Sequence, residues 1–199
     1  MNKTLLAVAL SMATLSSSAF ALDGGQISFA GLVSDNTCVM SVNNGAQDAQ
    51  IQLETASVAE VNAAGTVKNN SIGAKAKTFT ISVDCSQAGF TNQSKADLTM
   101  TSQFRSNGQG TLDNDQSITD PAKGVNVAIH QIDPTTGIYS MVSVDGKDNH
   151  SQNFDSSKKA QWIFVASYVA QTDPTASTVV VPVTSGFVKT NAAYTIAYN

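Results

Sequence analysis

The chain has 199 residues with eleven basic and fifteen acidic side chains, a formal net charge of −4, and 13% charged against 42% hydrophobic residues. With no basic cluster beyond Lys158-Lys159, the charge balance excludes nucleic acid and anionic membranes as favoured partners. Two cysteines and two histidines leave little for a zinc centre or a histidine-dependent hydrolase.

In chain order, residues 1–21 read as a secretory signal: Lys3 gives the positive start, residues 5–15 the apolar stretch, and Ala19-Phe20-Ala21 the small-residue cleavage site. The stretch is too short to span a bilayer. Its removal leaves 199 − 21 = 178 residues, enough for one domain with its own core. Lys3 goes with it, so the remaining charge is 10 − 15 = −5.

Next comes GGQISFAGLVSDNTC, residues 24–38. Ile27, Phe29, Gly31 and Val33 share one face and Gln26, Ser28 and Ala30 the other, a strand pattern interrupted by glycine. Glycine inside a strand costs packing and is kept where another backbone comes close. Composition leaves two readings open: a first strand pairing within its own domain, or one meant for a foreign backbone. Cys38 and Cys85 are the only cysteines, and in an exported chain a lone pair is most simply a disulfide. On the chain-entropy model, closing a loop of 85 − 38 + 1 = 48 residues contributes roughly 4 kcal/mol.

SVAEVNAAG, residues 57–65, is the one helical segment, with Ser57 as cap and Gly65 as stop. Alternation with period two governs the rest. TFTISVDC (78–85) places Phe79, Ile81, Val83 and Cys85 on one face; Leu98 and Met100 alternate in ADLTMT; Val125, Val127 and Ile129 do so in GVNVAIHQ. Asp133-Pro134-Thr135-Thr136-Gly137 joins that strand to IYSMVSV as a hairpin, and Asp145-Gly146 closes the second strand. In QWIFVASYVA, Trp162, Phe164, Ala166 and Tyr168 share one phase and Ile163, Val165 and Val169 the other, the pattern of a central strand covered on both faces. Residues 178–183 and 192–199 (AAYTIAYN) are further strands. Residues 102–123 and 146–159, rich in Asn, Asp, Ser and Gly, read as loops. Many short strands with turns between them predict an all-β Greek-key sandwich of immunoglobulin type.

Catalytic signals are weak. His130 is expected on the polar face of its strand and His150 in a loop, both inert. Ser34-Asp35-Asn36 and Ser156-Ser157-Lys158-Lys159 match two fragments of the penicillin-binding signature, but its K-T-G is missing and chance explains them better. Asp113-Asn114-Asp115 and Asp145-Gly146-Lys147-Asp148 cluster oxygen donors without the spacing of a calcium loop, so turn chemistry is the better reading. No catalytic residue, metal site or cofactor is expected.

At the other end Tyr194, Ile196 and Tyr198 form an apolar row running to Asn199, and Gly186 is the fourteenth residue from the last, since 199 − 186 + 1 = 14. That glycine, the alternation after it and the penultimate tyrosine follow GGQISFAGLVSDNTC, TFTISVDC, GVNVAI with its hairpin, and FVASYVA. In this order they resemble, over essentially the whole exported chain, the pilin subunits of chaperone-usher fimbriae in Gram-negative bacteria, of the type 1 pilus kind. The resemblance implies an immunoglobulin-like sandwich that lacks its final strand, with residues 22–35 as a donor-strand arm and residues 36–199 as the pilin domain. Ile27, Phe29, Gly31 and Val33 become the donor strand. Gly186, Tyr194, Ile196, Tyr198 and Asn199 become the C-terminal strand that a periplasmic chaperone binds. Phe79, Ile81, Val83, Trp162, Phe164, Ala166 and Tyr168 become the core of the groove.

The implied partners are other fimbrial subunits, the periplasmic chaperone and the outer-membrane usher. The implied route is through the periplasm to a surface fibre used in adhesion, with no enzymatic activity. A shaft subunit is the leading expectation; a minor adaptor or terminator, or a glycan-binding adhesin, is the alternative. The chain departs from the family in a short arm and in long loops at 102–123 and 146–159.

Overall fold

The computed structural model describes residues 38–87, 89, 93–105 and 108–199. The signal, the donor arm with Ile27, Phe29, Gly31 and Val33, and Ser34-Asp35-Asn36 lie outside the described residues.

The elements are β1 (Val39–Val42), α1 (Val58–Ala64), β2 (Ala74–Asp84), β3 (Lys95–Thr101), β4 (Leu112–Asp113), β5 (Val125–Ile132), β6 (Tyr139–Val142), β7 (His150–Asn153), β8 (Lys159–Ala170), β9 (Thr172–Asp173), β10 (Ala176–Val180) and β11 (Ala193–Tyr198). One sheet runs β1-β2-β8-β5-β4 with β6 also on β5; a second runs β11-β3-β7; β9 and β10 form a separate pair. Every pairing between the described strands is antiparallel. The pairing of β11, last in sequence, with β3 puts the chain end beside its early strands.

Alternation dictates which side chains meet. In β2, Phe79, Ile81 and Val83 are buried; in β3, Ala96, Leu98 and Met100; in β8, Trp162, Phe164 and Ala166; and together they make one core between the two sheets. Phe79 and Phe164, directly paired in register, hold their rings 5.5 Å apart. Trp162 Nε1 donates to the His150 carbonyl at 2.6 Å, so its one polar atom is satisfied in a fully buried site. The chain is thus an all-β, immunoglobulin-like sandwich, and Cys38 and Cys85 are joined as a disulfide that ties the start of β1 to the end of β2.

The second face of the large sheet is covered too. Val165, Ser167 and Val169 of β8 are buried beneath the segment that holds α1. The helix begins at a capping box: the Ser57 hydroxyl accepts from the Glu60 amide at 3.2 Å and the Glu60 carboxylate accepts from the Ser57 amide at 2.7 Å. Gly65 ends it at φ +70°, and its carbonyl accepts from the Ala170 amide at 2.8 Å.

Three expectations from the sequence are corrected. His130 is 0% exposed rather than on a polar surface. Residues 66–71 lie over its face of β5, and its Nε2, necessarily the protonated nitrogen, donates to the Lys68 carbonyl at 2.8 Å. His150 opens β7 instead of lying in a loop; its Nδ1 is 2.6 Å from Gln131 Oε1 and its ring stands edge-on to Phe164. Burial lowers the His150 pKa, with the nearby Asp148 carboxylate opposing the shift. Stretch 102–123 likewise contains β4, with Thr111, Asp113, Asn114 and Asn126 buried around it. Asn126 Nδ2 donates to Thr111 Oγ1 at 2.8 Å and Asp113 Oδ1 at 3.0 Å. This polar cluster replaces the apolar alternation that a strand search needs.

Candidate functional site

An apolar cleft of about 600 Å³ lies along the core between two rims. One rim is residues 47–53, which follow the turn after β1; the other is residues 188–194, leading into β11. Phe79, Ile81, Met100, Leu112, Val127, Ile129 and Ala166 form the floor, with Tyr168 at its side, so the floor is supplied by both sheets.

Both rims alternate inward and outward side chains. On the first, Ile51 and Leu53 point to the core while Gln52 and Glu54 are exposed. Among the described residues, residues 48–55 make no backbone–backbone hydrogen bond. On the second, Val188, Thr190, Tyr194, Ile196 and Tyr198 share the inward phase. Strand β11 pairs only with β3 among the described strands, which leaves its far edge without a partner. An extended segment between the rims could meet unpaired backbone on two sides and hydrocarbon beneath.

Gly186 sits ahead of β11, where its segment crosses the loop before β5. A Cβ there would lie 2.4 Å from the Ala122 nitrogen and 2.5 Å from the Asp120 oxygen, and φ is +152°. The crossing is knitted by Phe187 N donating to the Asp120 carbonyl at 2.8 Å and Ala122 N donating to the Phe187 carbonyl at 2.9 Å. Asn114 clasps the same place: its Nδ2 donates to the Ala122 and Phe187 carbonyls, and its Oδ1 accepts from the Lys189 amide at 2.8 Å. The glycine thereby aims residues 188–194 along the groove.

The far end of β11 is tied down. Ser94 and Lys95 amides donate to the Asn199 carbonyl, Asn199 N donates to the Lys95 carbonyl, and Asn199 Nδ2 donates to Asp97 Oδ2 at 2.6 Å. The Asp97 carboxyl, which also accepts from the Ser151 hydroxyl, is held below the usual carboxylate range chiefly by that bond. Tyr198 stacks on Phe154 with ring centroids 6.4 Å apart.

Of the residues assigned to the groove from sequence, Phe79, Ile81, Ala166 and Tyr168 line the cleft. Val83, Trp162 and Phe164 belong to the same core but lie outside its lining. Of the C-terminal residues, Tyr194 lines it, Ile196 and Tyr198 pack on the core beyond it, Asn199 anchors the strand end, and Gly186 stands ahead of the rim. Sequence reasoning missed the first rim, although Ile51 and Leu53 alternate in QIQLET, and it missed Met40, Val42 and Val188. Among the described residues no group of His, Cys, Asp or Glu could hold a metal ion. Asp115 and Asp145 instead accept from the amides of Ser117 and Lys147, two residues on, as turn formers. No described helix is long and apolar enough to cross a membrane.

No protein-family model matches the sequence and no curated protein matches it. Among solved structures, the chain is similar to the P pilus rod subunit PapA, at 15% identity and a TM-score of 0.55, covering 80% of this chain and 99% of that one. It also matches the CupB6 tip adhesin from Pseudomonas aeruginosa at 12% identity and a TM-score of 0.41, covering 80% of this chain and 41% of that one. The chain shares its fold with that pilus rod subunit.

Proposed function

We propose that the chain is a structural subunit of a chaperone-usher fimbria, assembled by donor-strand exchange into an extracellular fibre used in adhesion, in the shaft rather than at the tip. The observation that carries this reading is the apolar groove between residues 47–53 and 188–194, along which β11 pairs, among the described strands, with β3 alone. In this reading residues 22–35 of one subunit lie in the groove of the next. Ile27, Phe29 and Val33 then enter hydrocarbon, each contributing about 1.5–3 kcal/mol on burial. Gly31 lets the two backbones approach, and each ladder hydrogen bond adds about 0.5–1.5 kcal/mol. A periplasmic chaperone occupies the groove first, and exchange takes place at the outer-membrane usher. Because the donor and acceptor patches differ, the contact is heterologous and propagates as an open fibre.

Two complementary variants test this. A chain lacking residues 22–35 keeps an acceptor groove; a chain carrying Ala166→Trp on the groove floor keeps a donor arm. In cells with the matching chaperone and usher, neither alone should give filaments by electron microscopy. Filaments of normal length from the armless chain alone are incompatible with the proposal.

A further inference from the structure

Resting on the reading of the groove as a strand acceptor, we propose that Tyr194 is a register stop: the bar that its side chain makes across to Gln47 ends the groove and fixes how far an inserted strand can slide along β11. Tyr194 and Gln47 stand on opposite rims, and the Tyr194 hydroxyl donates to the Gln47 carbonyl at 2.9 Å. The bar also coincides with the end of the cleft. Along the inward phase of the second rim, Val188, Thr190 and Tyr194 line it, whereas Ile196 and Tyr198, the next two in that phase, pack into the core and do not.

A slip along β11 must come in steps of two residues, because a step of one turns the apolar face of the entrant to solvent. Tyr194 is thus a positioning residue, separate from the floor that supplies hydrophobic affinity.

The test uses the full chain and a synthetic peptide of residues 24–35 bearing a photo-reactive group at either end, with cross-linked sites mapped by mass spectrometry. Tyr194→Phe retains the ring and removes the bar. The expected result is one cross-link pattern for the unaltered chain, and in Tyr194→Phe a second pattern displaced by two residues toward Ile196. Its share should rise roughly 2- to 10-fold, the weight of one hydrogen bond. The midpoint of urea unfolding serves as the readout of a merely structural effect and should change little. An unchanged pattern in Tyr194→Phe overturns the register stop and leaves the acceptor reading standing. Absence of any peptide cross-link in the unaltered chain overturns both.

Discussion

Replacing Gly186 by alanine probes the crossing that aims the groove rim. The added Cβ would meet backbone atoms of residues 120–122 at 2.4–2.7 Å, so no side chain can move aside to relieve it. Relief requires separating the two segments, which breaks the Phe187–Asp120 and Ala122–Phe187 backbone bonds and loosens Asn114. Two backbone bonds lost at about 1 kcal/mol each, with backbone strain of order 1–3 kcal/mol at a positive φ, give a destabilisation of about 3–5 kcal/mol. With a urea m-value of about 1–3 kcal/mol/M, the unfolding midpoint should fall by roughly 1–5 M. Gly137→Ala is the control, because its φ is +70° but a Cβ there has no atom within 4 Å. It carries the strain alone and should cost about 1–2 kcal/mol. If Gly186→Ala loses no more stability than Gly137→Ala, the close approach does not explain the glycine.

Further consequences follow from the disulfide and the titrating groups. Replacing both Cys38 and Cys85 by alanine, 47 positions apart, should lower unfolding stability by about 4 kcal/mol, measured by urea unfolding against the oxidised chain. Glu60 should titrate at about 2 instead of 4.5, because its carboxylate accepts from the Ser57 amide and meets Lys75 at 2.9 Å. The Glu60 pKa is depressed in the fold, so its contribution to stability is present above pH 4.5 and is lost as pH falls through about 2. Carboxyl-carbon NMR checks the midpoint, and Lys75→Ala should move it upward. His150 should titrate below 6.5 because it is buried; its contribution is present above that value and shrinks as pH falls below it, followed by the imidazole NMR shift.

Period-two alternation made β2, β3, β5, β8 and β11 legible in the sequence, because each has one face on a continuous core and few polar interruptions. Ser57 and Gly65 marked α1 for a local reason: cap and stop are set by residue type at the helix ends, whereas the Glu60 half of the capping box was not read from sequence. His130 was misplaced because the cover over its face is an irregular stretch, residues 66–71, whose position depends on tertiary packing. HSQN has no apolar alternation, and β7 forms because β3 offers it an edge at register His150↔Leu98. The groove was legible only in part. Its floor comes from alternating strands, but its boundaries are set by where residues 47–53 and 188–194 pass, and the second of these is fixed by Asn114 and Gly186 through contacts distant in sequence.

The central claim is that the groove takes a segment of another molecule. It is tested most directly by assembling fibres from an equal mixture of nitrogen-15 and nitrogen-14 subunits that carry a photo-reactive residue at Phe29, then weighing the cross-links made to Leu53 and Val188. The account predicts that half of those cross-links join chains of different isotope, as random exchange between molecules requires. Cross-links made only within chains of one isotope would show each subunit filling its own groove and would contradict it.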